Sequence, residues 1–407
     1  MLLRMAWLNI WRNPKRTIIL LCSIIVGLVG IIFLMGFIRG WFDAMINKTI
    51  RTYEGHMKIM GPGYNENPII ENHMRVTEKT QEWLATDPAI SASAERVAVQ
   101  GLASSAHRSM IVKIIGIDPA NERNVSVIAD SMRSGKFLDP DERNSIIIGE
   151  PLADKLKTGL GKRVVLMSQQ LGGQIGSEAF KVKGVFNTGS TAYDEHTVYI
   201  LKSDAQRMLE FHNRITEIVI LLDNIGNSDA TAARAVASLD NENLEVLTWK
   251  ERLPFVTKSI EMSNKSMLFV YAVFYLAMAF GILNALLMSI GERIHEFGVM
   301  MAIGTSRSII VLMILLESVC IATIAVVIGT ALGVSLVNFF GKTGMDLSAF
   351  AEAMEYIQAE NVLYLYVTPS DIAFATIATF LVAILFSFYP AMKASRMRPV
   401  DALRKTG

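Results

Sequence analysis

Cysteine is almost absent: the 407-residue chain has two, Cys22 and Cys320, both inside apolar runs. A disulfide framework and a cysteine-based zinc site are therefore excluded elsewhere, and stability must come from packing. Charge of one sign is also lacking. Lys and Arg number 39 against 38 Asp and Glu, so no global basic field points to nucleic acid. His56, His73, His107, His196 and His212 do not cluster at metal-ligand spacing and read as surface or packed side chains. No G-x-S-x-G elbow is present. A phosphate-cradling loop is missing too. Gly341-Lys342-Thr343 is the sole GKT, and Leu336 stands where the loop needs its first glycine. Gly161-Lys162 and Gly135-Lys136 lack both the first glycine and the following Ser or Thr. The chain is not expected to hydrolyse ATP itself, and no catalytic, cofactor-binding or metal-ligating residue is assigned.

Long apolar runs are what the sequence has instead. Four are long enough to cross about 30 Å of hydrocarbon at about 1.5 Å per residue. They are Thr17 to Ile38, Met267 to Ile290, Ile309 to Phe340, and Ile372 to Tyr389, which Pro390 closes. Asn284 is the most polar residue of the second run, and Glu317 is the one charge in the third. An intramembrane carboxylate reads either as part of an ion pathway or as a structural or subunit contact; without an evident charged partner, the contact role is favoured. The first run is not a cleaved signal, because Phe37, Ile38, Arg39 and Trp41 follow it in place of a small-x-small site.

Basic residues set the expected orientation. Arg4, Arg12, Lys15 and Arg16 precede the first run; Lys393, Arg396, Arg398, Arg404 and Lys405 follow the fourth, against Asp401 alone. Both termini are expected to be cytoplasmic, residues 1–16 as an interfacial segment and 391–407 as a tail. Residues 341–371 carry Asp346, Glu352, Glu355, Glu360 and Asp371 against Lys342 and belong outside, as does the long segment 39–266. Within 1–16, Leu3, Trp7, Ile10 and Trp11 share a helical face before Asn13-Pro14 turns the chain, which suits either a plain anchor or a lever moving with the first span.

Residues 39–266 alternate short β-type runs with helical stretches, which predicts an α+β domain. Strands are expected at Ser109–Ile117, Asn144–Ile148, Val164–Met167, Phe180–Phe186, His196–Ile200, Thr216–Leu222 and Val246–Trp249. Helices are expected at Pro151–Lys157, Ser203–Glu210 and Ala230–Leu239, and a loop at Ser168–Ser177. The domain reads as a binding or force-transmitting module.

The loop 291–308, expected in the cytoplasm, holds an amphipathic helix. Ile294, Phe297, Met301 and Ala302 form an apolar face, Glu292, Arg293 and Glu296 a charged edge, and Gly304 ends the helix. Such a helix suits docking in a groove on a partner, the other reading being a helix on the lipid surface.

The run Glu292 to Arg307, with Glu296-Phe297-Gly298-Val299-Met300 and Ala302-Ile303-Gly304, resembles the signature of FtsX-like permeases, the group that includes MacB, FtsX and the lipoprotein-releasing Lol permeases. Asn9 to Thr17, Tyr389-Pro390-Ala391 and Pro399 to Arg404 look like the same family, and Ile146 to Leu156 with Phe180 to Phe186 is similar to the MacB periplasmic core. The resemblance implies a bacterial inner-membrane permease of four transmembrane helices with a large α+β extracytoplasmic domain. It implies a pair of permeases, identical or not, with two copies of a separate ABC ATPase that supplies ATP and Mg. Glu292, Arg293, Ile294, Glu296, Phe297, Gly298, Met301, Ala302 and Gly304 would then form the coupling helix, and motion would pass to the outer domain, a mode called mechanotransmission. The architecture is nearest the lipoprotein-releasing Lol permeases; a MacB-like exporter, with a periplasmic adaptor, and an FtsX-like signal transmitter are the alternatives. The stretch corresponding to the carrier-binding hook of Lol permeases, Ser168 to Ala179, is short and has no proline. Gln169, Gln170, Leu171, Gln174 and Ile175 are its candidate partner residues.

Overall fold

A computed structural model describes residues 7–9, 11–12, 14–239, 243–350 and 362–397. Leu3, Arg4, Ile10, Asn13, Glu352, Glu355, Glu360 and the Pro399–Arg404 motif lie outside the described residues. The chain divides into two compact units: Met1–Ala44, Ser259–Ala349 and Val362–Gly407 make one, and Met45–Lys258 with Phe350–Asn361 the other.

The first unit is built on helices. Among the described residues, four helices are long and apolar enough to cross a membrane, Thr17–Glu54, Pro254–Glu292, Arg307–Thr343 and Pro369–Ser395. In hydrocarbon a helix is the open-chain way to satisfy every backbone N–H and C=O internally, so the apolar runs take that form. The helices extend beyond the runs. Pro390 does not close the fourth: the helix continues to Ser395, with Pro390 and Ala391 buried. Its start is set by a capping box, in which the Thr368 side chain accepts from the Asp371 backbone N–H and the Thr368 backbone N–H donates to Asp371 at 2.9 Å. Arg39, beyond the first run, donates to Asp371 at 2.8 Å. Close approach decides the packing of the first and third helices. A Cβ on Gly329 would lie 3.2 Å from Leu28 Cδ2, and one on Gly333 would lie 3.0 Å from Ile32 Cδ1. Gly329 and Gly333 form a G-x-x-x-G pair, which lets helices meet where no hydrophobic effect drives them together.

The second unit is a mixed sheet with helices. Its strands are β1 (Met57–Met60), β2 (Ile90–Ser104), β3 (Ser109–Ile117), β4 (Met132–Gly135), β5 (Ser145–Gly149), β6 (Arg163–Gln169), β7 (Ile175–Phe186), β8 (Thr197–Leu201), β9 (Glu217–Leu222) and β10 (Glu245–Thr248). They run in the order β10-β1-β9-β2-β3-β8-β5-β7-β4, and β6 pairs with both β2 and β7. The pairings β2–β3–β8–β5–β7–β6–β2 therefore close on themselves. Alternation along the strands sorts side chains between two cores. Val112 and Ile114, Ile146 and Ile148, Phe180 and Val182, and Val198 and Ile200 enter one cluster. Ile115, Ile117, Ile147, Tyr199 and Leu201 enter the other. Burial on both faces explains the uninterrupted apolar runs of β5 and β8.

The long β2, β1 and the helix Glu78–Thr86 were not expected from the sequence, since β2 carries Glu95, Arg96 and Gln100 among small residues. Arg96 belongs there because it is paired: its Nη2 lies 2.6 Å from Glu122, and both side chains are buried. Lys58 lies 3.2 Å from Glu217 and 3.3 Å from Glu54. Arg252 Nε donates to Glu54 at 3.1 Å, tying the segment where the chain comes into this unit to the segment where it leaves. Burial by itself would raise the Glu54 carboxyl, but the Lys58 ammonium and the Arg252 guanidinium outweigh it and hold it at about 2, below its ordinary 4.5.

Because the folded value lies below the unfolded one, the Glu54 contribution is complete above pH 4.5 and is lost as pH falls through about 2. Glu54→Gln strands the buried Lys58 and Arg252 charges, so it is expected to cost about 3 kcal/mol at neutral pH and to flatten this acid dependence. Denaturant unfolding of the detergent-solubilised chain at neutral and acid pH checks both; a variant with wild-type stability at pH 7 refutes the assignment.

Candidate functional site

The segment that joins the second and third long helices carries the candidate site. The second helix runs to Glu292, Arg293 leaves helical geometry at φ −103 and ψ 11, and a short helix follows at Ile294–Ala302. Gly304, at φ +98, ends it, in a backbone region costly for side-chain-bearing residues. Ser306 occupies the N-cap position of the third helix without a side-chain cap bond; its Oγ faces Ser308 Oγ at 3.2 Å.

Glu317 is not the partnerless carboxylate that the sequence implies. Arg293 Nη1 donates to its two oxygens at 2.8 and 3.0 Å, and Asn9 Nδ2 donates at 2.7 Å. The Arg293 and Glu317 side chains are 5% and 6% exposed. Arg293 Nε also donates to Glu296 at 3.0 Å, and its guanidinium stands over the Phe297 ring, 5.1 Å from the centroid. Arg12 pairs with Glu296. Partial burial would raise the Glu296 carboxyl, yet Arg12 and Arg293 hold it below the usual range. The reach of Arg293 from one helix break to a residue 24 positions on is a tertiary fact with no local signature.

The apolar face does not stand free either. Phe297 is 1% exposed and packs with Ile290, Ile310, Met313, Ile314, Ala391 and Ala394. Gly298 is buried, and Ile294 and Met301 are half-buried. The surface left open runs through Glu292, His295, Val299, Ala302 and Ile303, the last 78% exposed. Asn284 sits exposed on the second helix, opposite in character to the buried Ile282 and Leu286.

The expected loop at Ser168–Ser177 is a tight hairpin. β6 and β7 extend to a Gln169↔Ile175 pair, and Gln170 N–H donates to the Gln174 carbonyl at 2.8 Å. Gly173, at φ +79, makes the turn. Gln170 Nε2 donates to the Met208 carbonyl at 3.0 Å, Gln169 Nε2 to Glu71 at 3.1 Å, and Leu171 packs against the core. Ile175 is left 76% exposed.

The family model described as MacB-like periplasmic core domain matches residues 17–238, more than half of the chain, and that described as FtsX-like permease C-terminal matches residues 268–399. The chain belongs to the MacB-type, FtsX-like permease family. It is a permease of an ABC-type system, with four membrane-crossing helices and a large α+β domain of the MacB periplasmic-core type. The lipoprotein-releasing system transmembrane protein LolC of Neisseria meningitidis is 23% identical over 424 residues, covering 98% of each chain. The macrolide export ATP-binding/permease protein MacB of Campylobacter jejuni is 22% identical over 99% of this permease, which spans 61% of that protein. The uncharacterized ABC transporter permease YvrN of Bacillus subtilis is 22% identical, covering 99% of this permease and 98% of its own length. Among solved structures, the periplasmic region of MacB from Actinobacillus actinomycetemcomitans gives a TM-score of 0.35 at 14% identity, covering 50% of this permease and 92% of that chain.

Breaking one half of the buried Arg293–Glu317 pair strands the other charge. Glu317→Leu is expected to destabilise the permease by about 3–5 kcal/mol, and adding Arg293→Met to recover most of that. Thermal unfolding in detergent measures both; equal losses in the single and double variants would contradict the pairing.

Proposed function

We propose that this permease works by mechanotransmission with a separate ATPase and extracts or releases lipoproteins from the outer leaflet of a bacterial inner membrane. The observation that carries the reading is the end-to-end correspondence with LolC, 98% of each chain, in a protein of the same four-helix and outer-domain organisation. Both termini would be cytoplasmic, following the basic residues at the two ends. The segment 291–308 would meet the ATPase there, ATP and Mg being bound by that partner.

The geometry supports a division of roles along the proposed coupling helix. Phe297, Gly298 and Arg293 fasten the helix to the bundle, while His295, Val299 and Ile303 would enter the partner's groove. A push on the helix would then reach the third long helix through Arg293–Glu317 and the N-terminal segment through Arg12–Glu296. Asn284 supports a second permease copy: a polar side chain exposed on a membrane helix is costly against lipid, and a facing copy would give it a hydrogen-bond partner. The tight hairpin 170–174 would be the point presented to a carrier or adaptor, with Ile175 as its exposed apolar contact.

Mass spectrometry of the tagged permease purified in mild detergent from native membranes tests the reading. A stoichiometric ATPase with acylated lipoproteins is the expected result. An adaptor and no lipoprotein would mean export of the MacB kind, a cell-wall enzyme a signalling role, and no ATPase would overturn the transporter reading. Val299→Asp with Ile303→Asp is expected to reduce ATPase co-purification about tenfold while the permease still inserts, since a charge would sit in an apolar contact. Unchanged ATPase recovery would remove this surface from consideration.

A further inference from the structure

A cleft of about 360 Å³ opens on the outer unit, at the small end of ligand-pocket sizes. Its lining draws on β2 and β3, where Gln100 stands in register with Lys113. Cross-strand partners project from the same face, so the two side chains rise side by side. Pro68 and Ile111 add apolar surface, Ile111 being 70% exposed, and Arg252 and His196 add nitrogen donors. None of the lining residues is acidic.

Lys113 stands outside the buried ion-pair network behind the cleft. Lys58, Arg96 and Arg252 balance Glu54, Glu122 and Glu217 in the buried network. Lys113 lies near enough for its charge to help hold Glu54 and Glu217 ionised, yet it forms no ion pair or hydrogen bond among the described residues. Arg252 is already held by Glu54 and by Asn65 Oδ1, at 3.1 and 2.6 Å. The Gln100 side-chain amide also has no partner among the described residues, although its backbone carbonyl accepts from Ser168 Oγ at 2.6 Å.

We propose that this cleft binds an acidic peptide segment of a protein partner. One carboxylate of the segment pairs with Lys113, the Gln100 amide both donates to and accepts from the neighbouring peptide group, and an adjacent aliphatic side chain covers Ile111 and Pro68. The chemistry favours a peptide over a fatty acid. An alkyl chain would satisfy Lys113 and the apolar surface but would desolvate the Gln100 amide without replacing its hydrogen bonds. The site is independent of the substrate proposed above, because it rests on the outer unit's own groups.

The test is fluorescence anisotropy of a labelled Gly-Leu-Glu-Leu-Gly peptide titrated with the full chain in non-ionic detergent. Saturable binding that weakens as salt is raised is expected. Lys113→Ala and the Gln version of the peptide should each raise the dissociation constant about tenfold or more. Gln100→Ala, at an exposed position whose side chain makes no hydrogen bond among the described residues, should also weaken binding, and Lys113→Arg should retain it. Absence of saturable binding, wild-type affinity in both Lys113→Ala and Gln100→Ala, or equal affinity for the Gln peptide would overturn the proposal. Displacement by decanoate at lower concentration than by unlabelled peptide would overturn it in favour of a lipid amphiphile.

Discussion

A carboxylate inside a membrane helix is tolerated only when another group compensates it, and the organisation of the helical unit follows from how Glu317 is compensated. Arg293 must leave the second long helix at the right point to place its guanidinium across both Glu317 oxygens. That requirement coincides with the end of the helix at Glu292 and with the start of the short helix at Ile294. Phe297 then packs under the same guanidinium, Asn9 donates to Glu317, and Glu296 accepts from Arg293. The break between helices, the inward face of the short helix and the position of the N-terminal segment are thus consequences of one desolvated ion pair. A pair of this kind contributes geometry more than stability, since a well-packed apolar replacement could match its energy.

The outer unit solves a related problem by a different route. Its closed circuit of strand pairing buries apolar side chains on both faces, which leaves little room for charge. Yet Arg96, Lys58 and Glu217 are each almost fully buried on β2, β1 and β9. They lie beside Glu54 and Arg252, at the two points where the chain passes in and out of the unit. A network that holds both segments to the sheet by charge-assisted bonds resists shear better than apolar contacts, whose energy changes little on sliding. Under the proposed transmission of motion, stiffness at these segments is the relevant property.

The four membrane-crossing helices were legible because hydrocarbon imposes one rule on composition and length, and the runs satisfy it without help from distant residues. The α+β character of the outer unit was legible for a similar reason, as β5, β8 and β9 are apolar on both faces. The strand β2 was hidden because its charge pattern makes sense only beside Glu122 and Glu217, which lie far along the chain. The G-x-x-x-G pair Gly329 and Gly333 is a local pattern, but the helix it faces is set by the tertiary structure. Period and composition, being local, therefore determined the number of crossing helices, the class of the outer domain and the amphipathic character of segment 291–308. Tertiary structure alone decided that Glu317 is paired, that Phe297 faces inward, and that the segment around Gly173 is a taut hairpin, because each depends on which distant group fills the space beside it.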